Sequence, residues 1–148
     1  MQAEQFLHII DQTPLVSIDI ILKRQDGKIL VGKRTNKPAQ HFWFVPGGRI
    51  RKNETLQNAL TRIATTELGF DIALNDTKLL GAFDHIYEDN FHGKADISTH
   101  YVALGHEVHL KDDQKLATDD QHSDVEWLSI EELLQRDDVH QNTKAYFL

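Results

Sequence analysis

One stretch limits what this chain can fold into more than any other. Residues 47–70 read GGRIRKNETLQNALTRIATTELGF. Two glycines open it, and glycine lets a backbone turn tightly or be approached closely. Asn53 is placed to cap a helix, and Glu54 in the first turn suits the positive end of the helix dipole. Leu56, Leu60, Ile63 and Ala64 then recur at helical spacing. Gly69 is where such a helix stops, since the residue beyond the last turn is usually left-handed. The stretch therefore spells loop, helix, loop. Along it, Gly48, Glu54, Arg62, Glu67, Gly69 and Phe70 stand at fixed intervals, and Glu67 is the only acid after Glu54.

The surrounding chain reads mostly as strands. Phe6, Leu7, Ile9 and Ile10 suggest a short amphipathic helix ended by Thr13-Pro14. Leu15 to Lys23 is rich in β-branched residues, and Gln25-Asp26-Gly27-Lys28 is a hairpin signal leading to a returning strand over Ile29 to Arg34. Phe42 to Val45 reads as a short buried strand, followed by a tight loop at Gly47-Gly48. Leu79 to Tyr87, Thr99 to Leu110 and Val125 to Leu128 complete the strands. Ser129 and Glu132 form a capping box for a closing helix through Leu134. Strands with a long central helix and a shorter one at each end predict an α+β fold.

Composition narrows the class. The 148 residues, 40% hydrophobic, fit one domain over 1–148 with a sizeable core. No stretch has the length of a membrane span, and the first residues lack a basic leader before an apolar run, so neither membrane insertion nor secretion is expected. The absence of cysteine excludes a disulfide framework and a thiolate metal site, and is compatible with the cytoplasm. A net charge of -7 argues against sequence-independent nucleic-acid binding. A small anion remains an option where cations concentrate locally or a metal helps.

The intervals of the 47–70 stretch resemble the Nudix box, G-x5-E-x7-R-E-U-x-E-E-x-G-U, where U is a bulky aliphatic residue. Two acidic positions of that box are not acidic here: Ile63 and Thr66 stand in their places. The resemblance implies a mixed β-sheet sandwiched between α-helices, and chemistry on a diphosphate. Such chemistry needs compensation of negative charge and delivery of a water molecule. The chain has no P-loop sequence, so a divalent cation is the economical solution, and Mg²⁺ takes hard oxygen ligands. Glu67 is the leading ligand, with a backbone carbonyl of the Gly47-Gly48 turn as a second and Glu54 as a weaker candidate. A helix with so few acids needs other groups. The segment Asp119-Asp120-Gln121-His122-Ser123-Asp124 offers them just before a strand: Gln121 a neutral oxygen, His122 a base that titrates near neutral pH.

Segments outside the box carry a narrower resemblance. They include Thr13-Pro14-Leu15-Val16-Ser17-Ile18-Asp19, Gly32-Lys33-Arg34-Thr35-Asn36, Trp43-Phe44-Val45-Pro46-Gly47-Gly48-Arg49, Tyr87-Glu88-Asp89-Asn90-Phe91, Thr99-His100-Tyr101, Asp120-Gln121-His122 and the tail Ala145-Tyr146-Phe147-Leu148. Together they resemble the GDP-mannose mannosyl hydrolases, a divergent Nudix group in which the same two acids are replaced. This resemblance implies Mg²⁺-dependent hydrolysis of GDP-mannose, with GDP-glucose as a second candidate. Water attacks the anomeric carbon and releases GDP and an inverted free hexose. It implies His122 as general base. One Mg²⁺ per subunit, with Mn²⁺ as an alternative, sits on the Gly47 carbonyl, Glu67 and Gln121. Arg34 and Arg49 fall on catalytic positions that grip the diphosphate. Asp19, His85 and Tyr101 fall on positions near the leaving group or sugar. Asp19 lies in an apolar strand, where an acid needs a partner, and Arg34 is a candidate partner. His100 reads as structural. A homodimer is also implied. Two rivals stay open: a conventional pyrophosphohydrolase that cuts a nucleotide sugar between its phosphates, and a nucleotide-sugar binding protein.

Overall fold

The computed structural model describes residues 1–117 and 124–148. Strand β1 (Leu15–Lys23) organises it. Alternation along a strand sends Ser17, Asp19 and Ile21 to one face and Ile18, Ile20 and Leu22 to the other. Strand β6 (Thr99–His109) runs parallel to β1 from Leu15 opposite Tyr101 to Lys23 opposite His109. Two antiparallel partners divide the other side of β1. Strand β4 (Gly47–Arg49) pairs with Ser17 to Asp19, and β2 (Ile29–Lys33) joins at Lys23. Strand β2 also carries β3 (Trp43–Phe44) and β7 (Val125–Leu128), while β5 (Lys78–Tyr87) pairs antiparallel with β6. The seven strands form one mixed sheet.

Helices cover both faces. Helix α2 (Leu56–Leu68) lays Ala59, Leu60, Ile63, Ala64 and Leu68 on Ile18, Ile20 and Leu22. Each of the leucine and isoleucine side chains, fully buried, contributes roughly 1.5–3 kcal/mol. On the opposite face Ile21, Val31, Trp43 and Leu128 meet Leu133 of α3 (Ile130–Gln135) and Tyr146. Helix α1 (Ala3–Gln12) buries Leu7 and Ile10. The result is the expected α+β sandwich. Among the described residues no helix is long and apolar enough to cross a membrane.

Two local expectations need correction. Thr55, not Asn53, caps α2: its hydroxyl accepts from the Asn58 amide at 3.1 Å. Asn53 is left-handed, with φ +70°, and Glu54 lies before the helix rather than in its first turn. Glu54 instead accepts from the Arg51 amide at 2.7 Å and pairs with Arg62 at 2.8 Å. Gly47 and Gly48 are extended strand, not a tight loop. Glycine is needed there for close approach: a Cβ on Gly47 would lie 2.2 Å from Asp19 Oδ1 and 2.7 Å from the Ile18 carbonyl. Gly69 does end α2 with φ 88°, and the Ser129–Glu132 capping box is present. The sequence reading missed α4 (Gln141–Lys144) and the 3-10 turn Ala145–Phe147, which fold the tail back across the sheet.

Candidate functional site

Asp19 sits mid-sheet between two glycines, with Gly47 opposite it on β4 and Gly105 on β6. Burial lifts its carboxyl to about 6, against the lowering effects of Tyr146 and Arg34. Its direct partner is not Arg34, as expected, but the Tyr146 hydroxyl, which donates to Oδ2 at 2.6 Å. Arg34 acts on it only through charge. The Arg34 guanidinium donates to the Pro38 carbonyl at 3.1 Å and lies over the Phe44 ring at 4.2 Å. A planar cation stacked this way is held in place while keeping donors free.

His85 stands 3.8 Å from Asp19, measured from Nδ1 to Oδ2. It is 5% exposed, and burial, with His140 and Arg34 adding, holds its imidazole down to about 4. It is therefore neutral near pH 7, with one ring nitrogen donating and the other accepting. Its Nε2 is buried without a hydrogen-bond partner among the described residues. A buried polar atom of this kind calls for a ligand or a water. Tyr101 lies opposite His85 on β6, and burial raises its phenol against the pull of Arg49 and Arg34. It stays a hydroxyl donor. Arg49, on β4, stacks over Phe6 of α1 at 4.5 Å.

These groups line two neighbouring clefts of about 310 and 300 Å³, which share Arg34, Asn36, Phe44, Val45 and Gly47. Glu67 borders the first; Asp19, Arg49, His85 and Tyr101 border the second. So the fold sets Glu67 on one cleft and Asp19, Arg49, His85 and Tyr101 on its neighbour, with Arg34 and Gly47 lining both. Gln121 and His122 lie in 118–123, outside the described residues. Glu67 is exposed at its edge, yet the cleft wall removes enough water to raise its carboxyl, with Arg34 opposing. Among the described residues it has no ion-pair partner. A free carboxylate beside a glycine strand fits a hard cation's preference for oxygen.

The other residues of the 47–70 frame are structural. Arg62 pairs with Glu54 and donates to the Arg49 carbonyl at 2.8 Å, which fixes β4 to α2. This pairing holds the Glu54 carboxyl down to about 2 and engages both its oxygens. Ile63 is in the core, and a Cβ on Gly48 would come within 3.0 Å of it. His100, read as structural, pairs with Asp84 at 3.2 Å on the sheet surface. Sequence reasoning missed Tyr146 as a site residue. Its signal was the tail Ala145-Tyr146-Phe147-Leu148, which carried the resemblance without a role for Tyr146, and the contact spans 127 positions of chain.

The NUDIX domain profile matches residues 13–148, and the chain belongs to the Nudix hydrolase family. Members take small-molecule nucleotide substrates and generally use a divalent metal such as Mg²⁺. The chain is 45% identical over 117 residues to the low-salt glycan biosynthesis protein Agl8 of Haloferax volcanii, covering 79% of this chain and 72% of Agl8. Among solved structures, it is similar to a MutT NUDIX hydrolase from Burkholderia pseudomallei, with 29% identity, TM-score 0.68 and coverage of 91% and 96%. A MutT protein from Methanosarcina mazei shares the fold at 18% identity, TM-score 0.68, with 92% of each chain covered.

Proposed function

We propose that this Nudix hydrolase splits GDP-mannose, with GDP-glucose as the second candidate, by sending water to the anomeric carbon. GDP leaves and the hexose is released with inverted configuration. One observation carries the reading: Glu67 is the only carboxylate of α2 bordering the cleft, while Ile63 is committed to the core. Attack at phosphorus beside the helix calls for several acids there; attack at carbon does not. The name of the Agl8 relative, a glycan biosynthesis protein, agrees with a sugar-nucleotide substrate.

Each group has work in that reaction. Arg34 and Arg49 grip the diphosphate, and their charge stabilises it as it departs from an oxocarbenium-like centre. His85 and Tyr101 hydrogen-bond the phosphates or sugar, and Asp19 accepts from the same ligand. Gly47, through its carbonyl, and Glu67 would hold one Mg²⁺ or Mn²⁺ together with Gln121. A bound cation supplies charge neutralisation on the leaving group. His122 takes the proton from the attacking water. The same reading carries a homodimer and a cytoplasmic location.

Product analysis tests it. The purified protein with Mg²⁺ and GDP-mannose should yield GDP and mannose by chromatography, the mannose first appearing as the inverted anomer by proton NMR. GMP with mannose 1-phosphate would instead make it a conventional pyrophosphohydrolase. Binding without turnover would make it a binding protein.

A further inference from the structure

Tyr146 belongs to no motif of the box, yet it is tied to the middle of the site. Its ring is buried over Gly105, where a Cβ would come within 2.5 Å of Cε1. It also packs edge-on to Phe83 at 4.6 Å and to His85 at 5.7 Å. So the ring has one seat, and the hydroxyl reaches Asp19 Oδ2 from it. The other carboxylate oxygen faces Gly47, whose missing side chain makes the room. A row Gly47–Asp19–Gly105 thus crosses the sheet. One glycine clears space for the carboxylate and the other for the ring that holds it. The same tail touches the strand leading to Gly47, because the Val45 amide donates to Thr143 Oγ1 at 3.2 Å.

We propose that Tyr146 is a positioning residue for the reaction, acting through Asp19, which it holds in place against Gly47. The C-terminal turn is then part of the active architecture rather than a cover for the sheet. Packing does not need the hydroxyl, since phenylalanine would fill the same seat. What the hydroxyl adds is one charge-assisted hydrogen bond that fixes a buried carboxylate. The catalytic part of this inference rests on the function proposed above. The positional part does not.

Tyr146→Phe tests both. The melting temperature should fall by roughly 3–12 °C, the worth of one hydrogen bond to a buried carboxylate, and the variant should stay folded at the assay temperature because the ring and its contacts remain. With GDP-mannose and Mg²⁺, kcat should fall by about 10- to 100-fold, the worth of a hydrogen bond to a charged group, with KM little changed. An unaltered kcat, or a loss of kcat seen only where the variant is partly unfolded at the assay temperature, would overturn the proposal. A crystal structure of the variant gives a readout free of turnover. The Asp19 carboxylate should be rotated away from Gly47 while the tail backbone stays in place. Asp19 in its original position would overturn the proposal as well. Should the parent protein leave GDP-mannose intact, the substrate reading fails, and the carboxylate's position in that crystal still decides the role of Tyr146.

Discussion

Gly47→Ala puts the packing around Asp19 under direct strain. The new methyl would lie 2.2 Å from Asp19 Oδ1 and 2.7 Å from the Ile18 carbonyl. Contacts of this kind are essentially never closer than 3.0 Å, so the carboxylate must retreat by at least 0.8 Å. It cannot do so freely. Tyr146 holds the far oxygen at 2.6 Å, and the Ile18 carbonyl belongs to a central strand. Overpacking of this sort costs about 1–3 kcal/mol. Loosening the hydrogen bond to the carboxylate adds about 1.5–3 kcal/mol. The total, roughly 2.5–6 kcal/mol, would lower the melting temperature by roughly 5–24 °C for a chain of this length. Gly27→Ala is the control. Nothing lies within 4 Å of its Cβ, and only its φ of +84° matters, which costs about 1–2 kcal/mol. Thermal unfolding followed by circular dichroism reads both. A Gly47→Ala protein that melts no lower than Gly27→Ala would refute this close packing.

Three further outcomes are expected. Asp19 and His85 oppose each other in pH. Asp19 rises from 3.8 to about 6, so the fold gains stability from it as pH falls from about 6 to 4. His85 drops from 6.5 to about 4, so the fold loses stability over nearly the same window, each effect being about 3 kcal/mol. Relative to the parent, Asp19→Asn should therefore lose stability in urea titrations between pH 6.5 and 4, and His85→Gln should gain it; three parallel curves would refute the assignment. Glu67→Gln should raise the Mg²⁺ concentration for half-maximal activity by about tenfold or more, and an unchanged metal requirement would remove Glu67 from the ligand set. His122→Gln should lower kcat by about 10²- to 10⁴-fold, and parent activity should rise with pH as the imidazole deprotonates, whereas a flat profile would exclude a histidine base.

Local patterns made much of the fold legible. Strand β1 and strand β7 were bounded correctly because their neighbours are turn-forming or capping residues, Pro14, Asp26-Gly27 and Ser129. The helix cap misled because Asn53 and Thr55 are both good caps. In the fold Glu54 is paired with Arg62 ahead of the helix, and the cap falls to Thr55, the next residue. The glycine pair also misled. Gly47 and Gly48 serve close approach in a strand, and that cannot be told from a turn without knowing that Asp19 lies alongside. The partner of Asp19 was beyond reach for the same reason. Arg34 was near in the hairpin, but the hydroxyl that binds Asp19 comes from the tail. The gathering of Asp19, Arg34, Arg49, His85 and Tyr101 was expected from likeness to relatives rather than from spacing. The fold brings it about because β1, β4, β5 and β6 are neighbours in one sheet and β2, which Arg34 directly follows, joins β1 in it.

Hydrolysis of GDP-mannose in ¹⁸O-labelled water addresses the bond broken without any variant. Mass spectrometry should find the heavy oxygen in the mannose and none in the GDP. Label in a phosphate instead would mean that phosphorus is the atom attacked, and the account given for this cleft would be wrong.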